Sequence, residues 1–317
     1  MRIKLIKQID KPDITYNLHI KDNHNYIVNG CVVANCHGAK ATEMQKILKK
    51  LISTEYRIGC TGTVPKDDAD RYTIIGMLGP VVPIIKAHEL IEQDKATPVE
   101  IICCNLKYPE WVCDKYNSSS KKVSGEKKYR AEKTFLLNEC TQRTEFIVNL
   151  CNHLEGNTLI LVETLDGVDN IKTLLESKTN KKVNVVTGSV DKDERELIRI
   201  QVNKEKTNNI IVATIKTFST GLNVPYLHNL ILASPTKAYG SLIQSIGRVL
   251  RLADSKDVAR VYDIIDNLCV TSKGGNVRKN YSYNHFLERL SIYTHEQYPY
   301  KISTIPLSIP QDIHNMD

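Results

Sequence analysis

Between Thr141 and Ile265 short apolar runs of strand length alternate with longer helical stretches, and this alternation most tightly limits the fold. Thr141–Leu154 has helical spacing, Thr158–Val162 is a buried-type strand, and Gly167–Ser177 is helical again. Val183–Val186, Ile210–Thr214, Asn229–Ala233 and Val258–Ile265 are further strands, with helices expected over Lys192–Asn203 and Tyr239–Leu250. Strands that read as unbroken apolar runs are buried on both faces, which a parallel sheet with helices on either side provides. The expected class is therefore α/β with a parallel sheet.

The same pattern starts less regularly upstream. Thr42–Leu51 reads as a helix, Arg57–Cys60 as a strand entering Thr61-Gly62-Thr63, His88–Gln93 as a helical turn, and Val99–Cys104 as a strand. Residues 115–133 are polar, Ser-rich and basic, with Lys121, Lys122, Lys127, Lys128, Arg130 and Lys133, and are expected to be a linker or exposed insertion. The tail, 270–317, has a Gly-Gly break and then a basic, Tyr-rich helix around Tyr283–Tyr293. Its mixture of Lys273, Arg278, Lys279, Tyr281, Tyr283, His285 and Arg289 suits stacking on single-stranded nucleic acid, or equally a helix docked on the domain.

Residues 1–35 are of another kind. Ile3–Ile6, Tyr16–Ile20, Tyr26–Val28 and Cys31–Val33 all read as strands, and Asn29-Gly30 between the last two is a hairpin signal. So short an all-β piece cannot bury a core alone and needs a partner. It ends in Asn35-Cys36. An Asn side-chain amide can attack its own carbonyl, form a succinimide and release the next residue's amine, and a thiol at that next residue can capture an acyl group.

Composition fits these readings. The 317 residues suffice for two domains, and the net charge of +7 leans towards a polyanionic partner such as nucleic acid. None of the nine Cys forms a CxxC pair, so no zinc site is expected and most thiols should fill the core of a protein in a reducing cytoplasm. No signal peptide and no membrane span is expected.

The run Tyr16-Asn17-Leu18, His24-Asn25-Tyr26, Asn29-Gly30 and Val33-Ala34-Asn35-Cys36 resembles the C-terminal fragment of a split intein. The resemblance implies that Cys36 is the downstream nucleophile, that Asn35 cyclises to release the intein, and that His24 assists. The first nucleophile and the rest of the intein would lie on another polypeptide. Asn17 stands where the family usually has Asp, and Ala34 where a penultimate His is common.

From Cys36 onward the chain resembles the C-terminal half of a superfamily-two DNA helicase, most like the phage UvsW type that serves repair and recombination. Cys36-His37-Gly38-Ala39-Lys40 is similar to the end of an Asp-Glu-x-His box, with Ala34-Asn35 where the two acids belong. Thr61-Gly62-Thr63 is similar to the Ser-Ala-Thr coupling motif, and Thr187-Gly188 to a contact on nucleic-acid phosphates. Thr214 and Gly221-Leu222-Asn223 resemble motif five. Gln244-Ser245-Ile246-Gly247-Arg248-Val249-Leu250-Arg251 resembles motif six, with Gln244, Arg248 and Arg251 expected on one helical face. In the family, Gly221, Asn223, Arg248 and Arg251 would face ATP, and Gln244 and His37 would couple hydrolysis to movement. Thr187, Gly188 and Thr214 would touch DNA. Two guanidiniums so spaced can stabilise a phosphoryl transition state.

No Gly-x-x-x-x-Gly-Lys-Ser/Thr loop occurs in the chain, so that loop and the Mg²⁺-holding acids are expected from the partner, and no metal ligand from this chain. The expected domains are an intein fragment over 1–35, the end of a first RecA-like domain over 36–97 and a linker with a basic insertion over 98–140. A complete second RecA-like domain over 141–270 and a C-terminal extension over 271–317 follow. The expected product of splicing is an ATP- and Mg²⁺-dependent DNA helicase acting on branched or single-stranded DNA in the cytoplasm, a host cell's if the chain is phage-encoded. The isolated chain is expected to lack ATPase activity. Asn17 and Ala34 keep open an alternative, a non-catalytic nucleic-acid-binding helicase remnant with an inactive intein.

Overall fold

The computed structural model describes residues 25–28, 31–35, 42–50, 56–60, 67–82, 86–117, 125–205, 208–219, 224, 226–235, 239–253 and 256–310. They fall into two units, 1–82 and 83–317.

In the first unit β1 (Asn25–Val28) and β2 (Cys31–Asn35) pair antiparallel with Val28 opposite Cys31, the register that a two-residue Asn29-Gly30 connection predicts. β2 then pairs in parallel with β3 (Tyr56–Cys60), so that Ala34 meets Gly59 and Asn35 meets Cys60. A parallel pair needs a long crossover, and α1 (Thr42–Lys50) lies within it. α2 (Asp68–Leu78) starts at Asp67, whose carboxylate accepts the Asp70 amide at 3.0 Å. Leu48, from α1, and Ile74, from α2, are buried together, with Met77 and Leu78 against them. The strands expected over Ile3–Ile6 and Tyr16–Ile20 lie outside the described residues.

The second unit opens on α3 (Ala87–Glu92) and is built on a seven-stranded sheet. Its strands are β4 (Val99–Lys107), β5 (Asn157–Val162), β6 (Lys182–Val186), β7 (Asn209–Thr214), β8 (Leu227–Leu232), β9 (Ala259–Asn267) and β12 (Tyr300–Pro306). Their order is β12-β4-β9-β8-β5-β7-β6, and every pairing is parallel. β5 and β7 are buried at every residue, as their apolar runs require.

Alternate residues feed two cores, one on each face. Ile101, Cys103, Leu159 and Leu161 pack on α10 (Tyr239–Val249) and α11 (Tyr281–His295), and Phe286, Ile292 and Tyr293 of α11 are buried there. Cys104, Leu106, Ile160 and Val162 pack on the opposite face with α6 (Thr141–His153) and α7 (Leu165–Lys178). Cys103, Cys104, Cys113, Cys140 and Cys151 are buried free thiols.

Two buried carboxylates on β9 tie a helix to each face. Asp266 takes the Arg143 guanidinium of α6 at 2.7 and 3.0 Å, and the Tyr108 hydroxyl at 2.7 Å. Asp263 takes Arg289 of α11 at 2.9 and 2.8 Å and the Tyr293 hydroxyl at 2.9 Å. Such pairs specify position more than they add stability, because both charges have left water.

Two expectations are corrected, and one choice left open by the sequence is decided. Residues 98–140 are not a linker, because β4 lies inside the sheet between β12 and β9. The stretch 115–133 is not simply exposed: α4 (Glu110–Asn117) and α5 (Gly125–Thr134) occupy much of it, and Glu132 is buried. Arg289, one of the cations that suited nucleic-acid stacking, is buried on Asp263, so α11 is a docked helix. A basic hairpin, β10 (Val270–Thr271) with β11 (Val277–Arg278), turns through Gly274-Gly275 before it.

Among the described residues no helix is long and apolar enough to cross a membrane.

Candidate functional site

The parallel strands bring their carboxyl ends to one edge of the sheet, where ligands of open α/β folds bind. Four loops meet there in the second unit: Glu163-Thr164 after β5, Thr187-Gly188 after β6, Thr214 closing β7, and Ser234-Pro235 after β8. The loops after β5 and β8 are tied together. The Glu163 amide donates to Ser234 Oγ at 2.8 Å, the Ala233 amide to the Leu161 carbonyl at 3.0 Å, and Thr164 caps α7 by accepting the Gly167 amide. A Cβ at position 167 would stand 2.8 Å from a Val162 methyl, so glycine lets α7 start this close to the strand.

Thr187 is buried and its hydroxyl shares a hydrogen bond with Ser189 at 2.8 Å. Arg195, on α8 (Lys192–Glu205), donates to the carbonyls of Thr187 and Gly188 at 3.1 and 3.2 Å and so pins the turn from below. Gly188 is exposed with open space where a side chain would stand. Its backbone amide can therefore be approached by something as bulky as a phosphodiester. Thr214 is buried and shares its hydroxyl with Thr217 at 2.7 Å, at the start of α9 (Ile215–Ser219).

α10 carries the two arginines at its far end. Its apolar side, Leu242, Ile246 and Val249, enters the core, leaving Gln244 half-buried. Arg248 donates to the Phe218 carbonyl and lies with its guanidinium 5.0 Å from the centre of the Phe218 ring. Burial, and then repulsion from Arg251, hold the Arg248 guanidinium below its ordinary pKa, and burial does the same to Arg251. Lys256 joins them. Its ammonium donates to the Val249 carbonyl at 2.7 Å, and burial followed by Arg251 lowers its pKa to about 8. Cations at a helix carboxyl terminus complement the negative end of the helix dipole. Arg251 disfavours the charge of both Arg248 and Lys256, and three cations gathered in this way form a receptor for a polyanion.

The chain end of α10 is held by Thr97, whose amide donates to the Leu250 carbonyl at 2.8 Å and whose hydroxyl donates to the Arg251 carbonyl at 3.1 Å. α10 closes at Val249, so Arg251 lies two residues beyond it. The expectation that Gln244, Arg248 and Arg251 share one helical face is corrected to Gln244 and Arg248 alone, with Arg251 placed by Thr97.

From outside, α5 and α11 brace the loops at the carboxyl ends of β5 and β8. The Pro235 carbonyl accepts the Tyr129 hydroxyl at 3.3 Å and faces His285 Nδ1 at 2.8 Å, and Lys133 pairs with Glu163 at 3.1 Å. Glu132 accepts the Tyr281 amide at 3.0 Å, and the Ser282 amide and Asn280 Nδ2 at 2.7 Å each, so it caps α11 from another helix.

His24, Cys36, His37, Thr61, Gly62, Thr63, Gly221 and Asn223 lie outside the described residues, and of Asn35 the backbone alone is described. Sequence reasoning missed Thr97, Lys256 and Arg195. Thr97 and Lys256 belong to no motif and reach the site only through the tertiary fold. Arg195 had one local signal, its place one helical turn past Asp191 behind the Thr187-Gly188 turn. Among the described residues no group of three or more His, Cys, Asp or Glu side chains could hold a metal ion.

Comparison with known proteins gives the same picture. Residues 142–253 match the helicase conserved C-terminal domain. The ATP-dependent DNA helicase uvsW of Enterobacteria phage T4 is 29% identical over 280 residues, covering 86% of this chain and 54% of the relative. The putative helicase 22 of a Sulfolobus islandicus filamentous virus is 22% identical over 233 residues, 73% of this chain and 41% of the relative. The chain thus spans about half the length of these curated relatives. The crystal structure of T4 UvsW superposes on 87% of this chain and 54% of its own, with a TM-score of 0.55 and 25% identity. The unit from Pro83 contains a RecA-like C-terminal helicase domain, similar to that of the UvsW-type superfamily-two helicases.

Proposed function

We propose that this chain is one half of an ATP-dependent DNA helicase of the repair and recombination type, completed by protein trans-splicing at Asn35-Cys36. The observation that carries the helicase reading is the cationic end of α10 within the matched domain: Arg248 and Arg251 beside Lys256, where Thr97 ties that end of the helix to the start of β4. A triphosphate fits that surplus of positive charge. Bound ATP with Mg²⁺ would supply the phosphoryl group whose transfer releases free energy. Arg248 and Arg251 would stabilise charge developing at that group, a task for which guanidiniums are suited by their fixed fork of donors. Gln244 would act beside Arg248, and the helicase resemblance gives His37, Gly221 and Asn223 roles in the same ATP chemistry. Gly188, with Thr187 and Thr214 behind it, would meet the phosphates of branched or single-stranded DNA.

The splicing reading rests on the sequence of residues 1–36 and on the hairpin that ends at Asn35. An acyl group from the partner would pass to the Cys36 thiol. The Asn35 side-chain amide nitrogen would then attack its own carbonyl carbon, breaking the Asn35–Cys36 peptide bond and leaving the Cys36 amine free. That amine would displace the thioester sulfur, which regains a proton, and an ordinary peptide bond results. His24 would polarise or protonate in these steps. Until then the chain has neither a phosphate loop nor the paired acids, and it should not turn over ATP.

Intact mass after co-expression with the chain that carries the phosphate loop tests both parts. Loss of residues 1–35 with a fused product joined at Cys36, and ATPase activity in that product alone, is the expected result. An unchanged mass would sink trans-splicing and leave the non-catalytic, nucleic-acid-binding reading that Asn17 and Ala34 favour. DNA-stimulated ATP turnover by the unspliced chain would refute the division of labour.

A further inference from the structure

We infer that the edge of β3 is the docking edge for a strand of the partner chain, and that β2 holds it as a stand-in until splicing; this rests on the trans-splicing reading above. β2, α1 and β3 form a right-sized parallel strand–helix–strand unit, and the junction lies inside it. β2 ends at Asn35, immediately before Cys36, while α1 and β3 lie downstream. The first strand of the unit is therefore intein sequence and the rest is helicase sequence.

Excision of residues 1–35 removes that strand. It would leave the ladder of amides and carbonyls on β3 that β2 now satisfies, an arrangement that invites another strand. The residues newly joined to Cys36 inherit the places of Cys31–Asn35. If the chain after Cys36 keeps its path, they lie in parallel against Tyr56–Cys60, and the last two stand opposite Gly59 and Cys60. The edge thus fits a partner strand of five residues, closing in the two acids and parallel to β3. A one-residue slip would send every side chain to the wrong face, so the existing register prescribes where the acids land.

Splicing becomes a strand exchange. β1 and β2 are needed by the intein, while β3 needs a neighbour throughout. β2 covers an aggregation-prone edge before the partner arrives and must leave it for the partner strand to enter. The pairing of β2 with β3 therefore opposes assembly of the intein and sets part of the rate of splicing.

Hydrogen exchange on the full chain tests the first half of this. Val33→Pro removes a donor from the middle of β2, and the amides of Tyr56–Cys60 should then exchange about tenfold faster, with those of Asn157–Val162 unchanged as an internal control. Equal exchange at Tyr56–Cys60 overturns the proposal. The second half needs a trap that leaves the fold alone. Val33 and Ile58 are register partners, so Val33→Cys with Ile58→Cys should link on mild oxidation, the Cα separation of neighbouring strands, roughly 5 Å, lying within disulfide range. The linked chain mixed with its partner should give no spliced product until a reductant is added. Splicing of the linked chain at the parent rate overturns the exchange. If the reduced parent never splices, the trans-splicing reading fails, while the exchange rates of Tyr56–Cys60 still decide whether β2 holds the edge.

Discussion

Glu132 is a buried carboxylate in a stretch whose composition reads as a solvated charge run, and its removal has a calculable effect. Oε1 accepts the Ser282 amide and Asn280 Nδ2, and Oε2 accepts the Tyr281 amide. In Glu132→Ala the Tyr281 amide can turn to water, since Tyr281 is exposed, and Asn280 Nδ2 keeps the Asp266 carbonyl at 3.1 Å. The Ser282 amide, on a residue that is 1% exposed, is left without a partner. An orphaned buried donor costs about 1–3 kcal/mol and a lost helix cap about 1 kcal/mol, so Glu132→Ala should cost about 3 kcal/mol. Glu132→Gln can keep its oxygen at the Oε1 place and present its NH₂ only to Tyr281, so it should cost about 1 kcal/mol, mainly the charge facing the helix amino terminus. Urea unfolding followed by fluorescence reads this well, because the only tryptophan, Trp111, packs on the core of the second unit and reports that unit alone. If Glu132→Ala unfolds within about 0.5 kcal/mol of the parent, as an ordinary surface change does, α11 is not capped from α5 and the reasoning fails.

Two further outcomes follow from geometry. Gly156 has φ +78° and a Cβ there would stand 2.5 Å from the His228 ring, whose Nδ1 accepts the Asn157 amide; Gly156→Ala should cost about 2–4 kcal/mol by the same fluorescence assay. Lys256 has its pKa lowered from 10.5 to about 8, so between those values the unfolded chain binds more protons than the folded one, and stability should rise with pH across that window. The rise should be smaller in Lys256→Met, and an identical pH profile in the two proteins would remove Lys256 as its source.

The parallel sheet was legible because β5, β7, β8 and β9 are apolar enough to name themselves. β12 was not: its residues are almost all exposed, and Tyr300–Pro306 lies at the sheet edge, where one neighbour suffices and no apolar run is needed. β4 was readable as a strand but not as an interior one, because its neighbours β9 and β12 lie far along the chain. Glu132 and Arg289 misled for one reason: a charge is read as solvated unless its partner is known, and their partners come from other elements. At the site, Arg248 and Gln244 are positioned by local spacing and could be read directly. Arg251 could not be placed, since α10 stops short of it and Thr97 holds it, and nothing in Thr97's neighbourhood announces that contact.

The position of β4 also has a consequence for how the chain is made. β4 leaves the ribosome early, yet neither of its neighbours exists until β9 begins at Ala259 and β12 at Tyr300. At ordinary rates of synthesis the wait is on the order of ten seconds, spent with an apolar strand containing Cys103 and Cys104 open on both edges. Low temperature or slow codons between 107 and 259 would lengthen that interval. Yield of soluble chain should therefore follow the speed of translation through the middle of the message more closely than the stability of the finished fold.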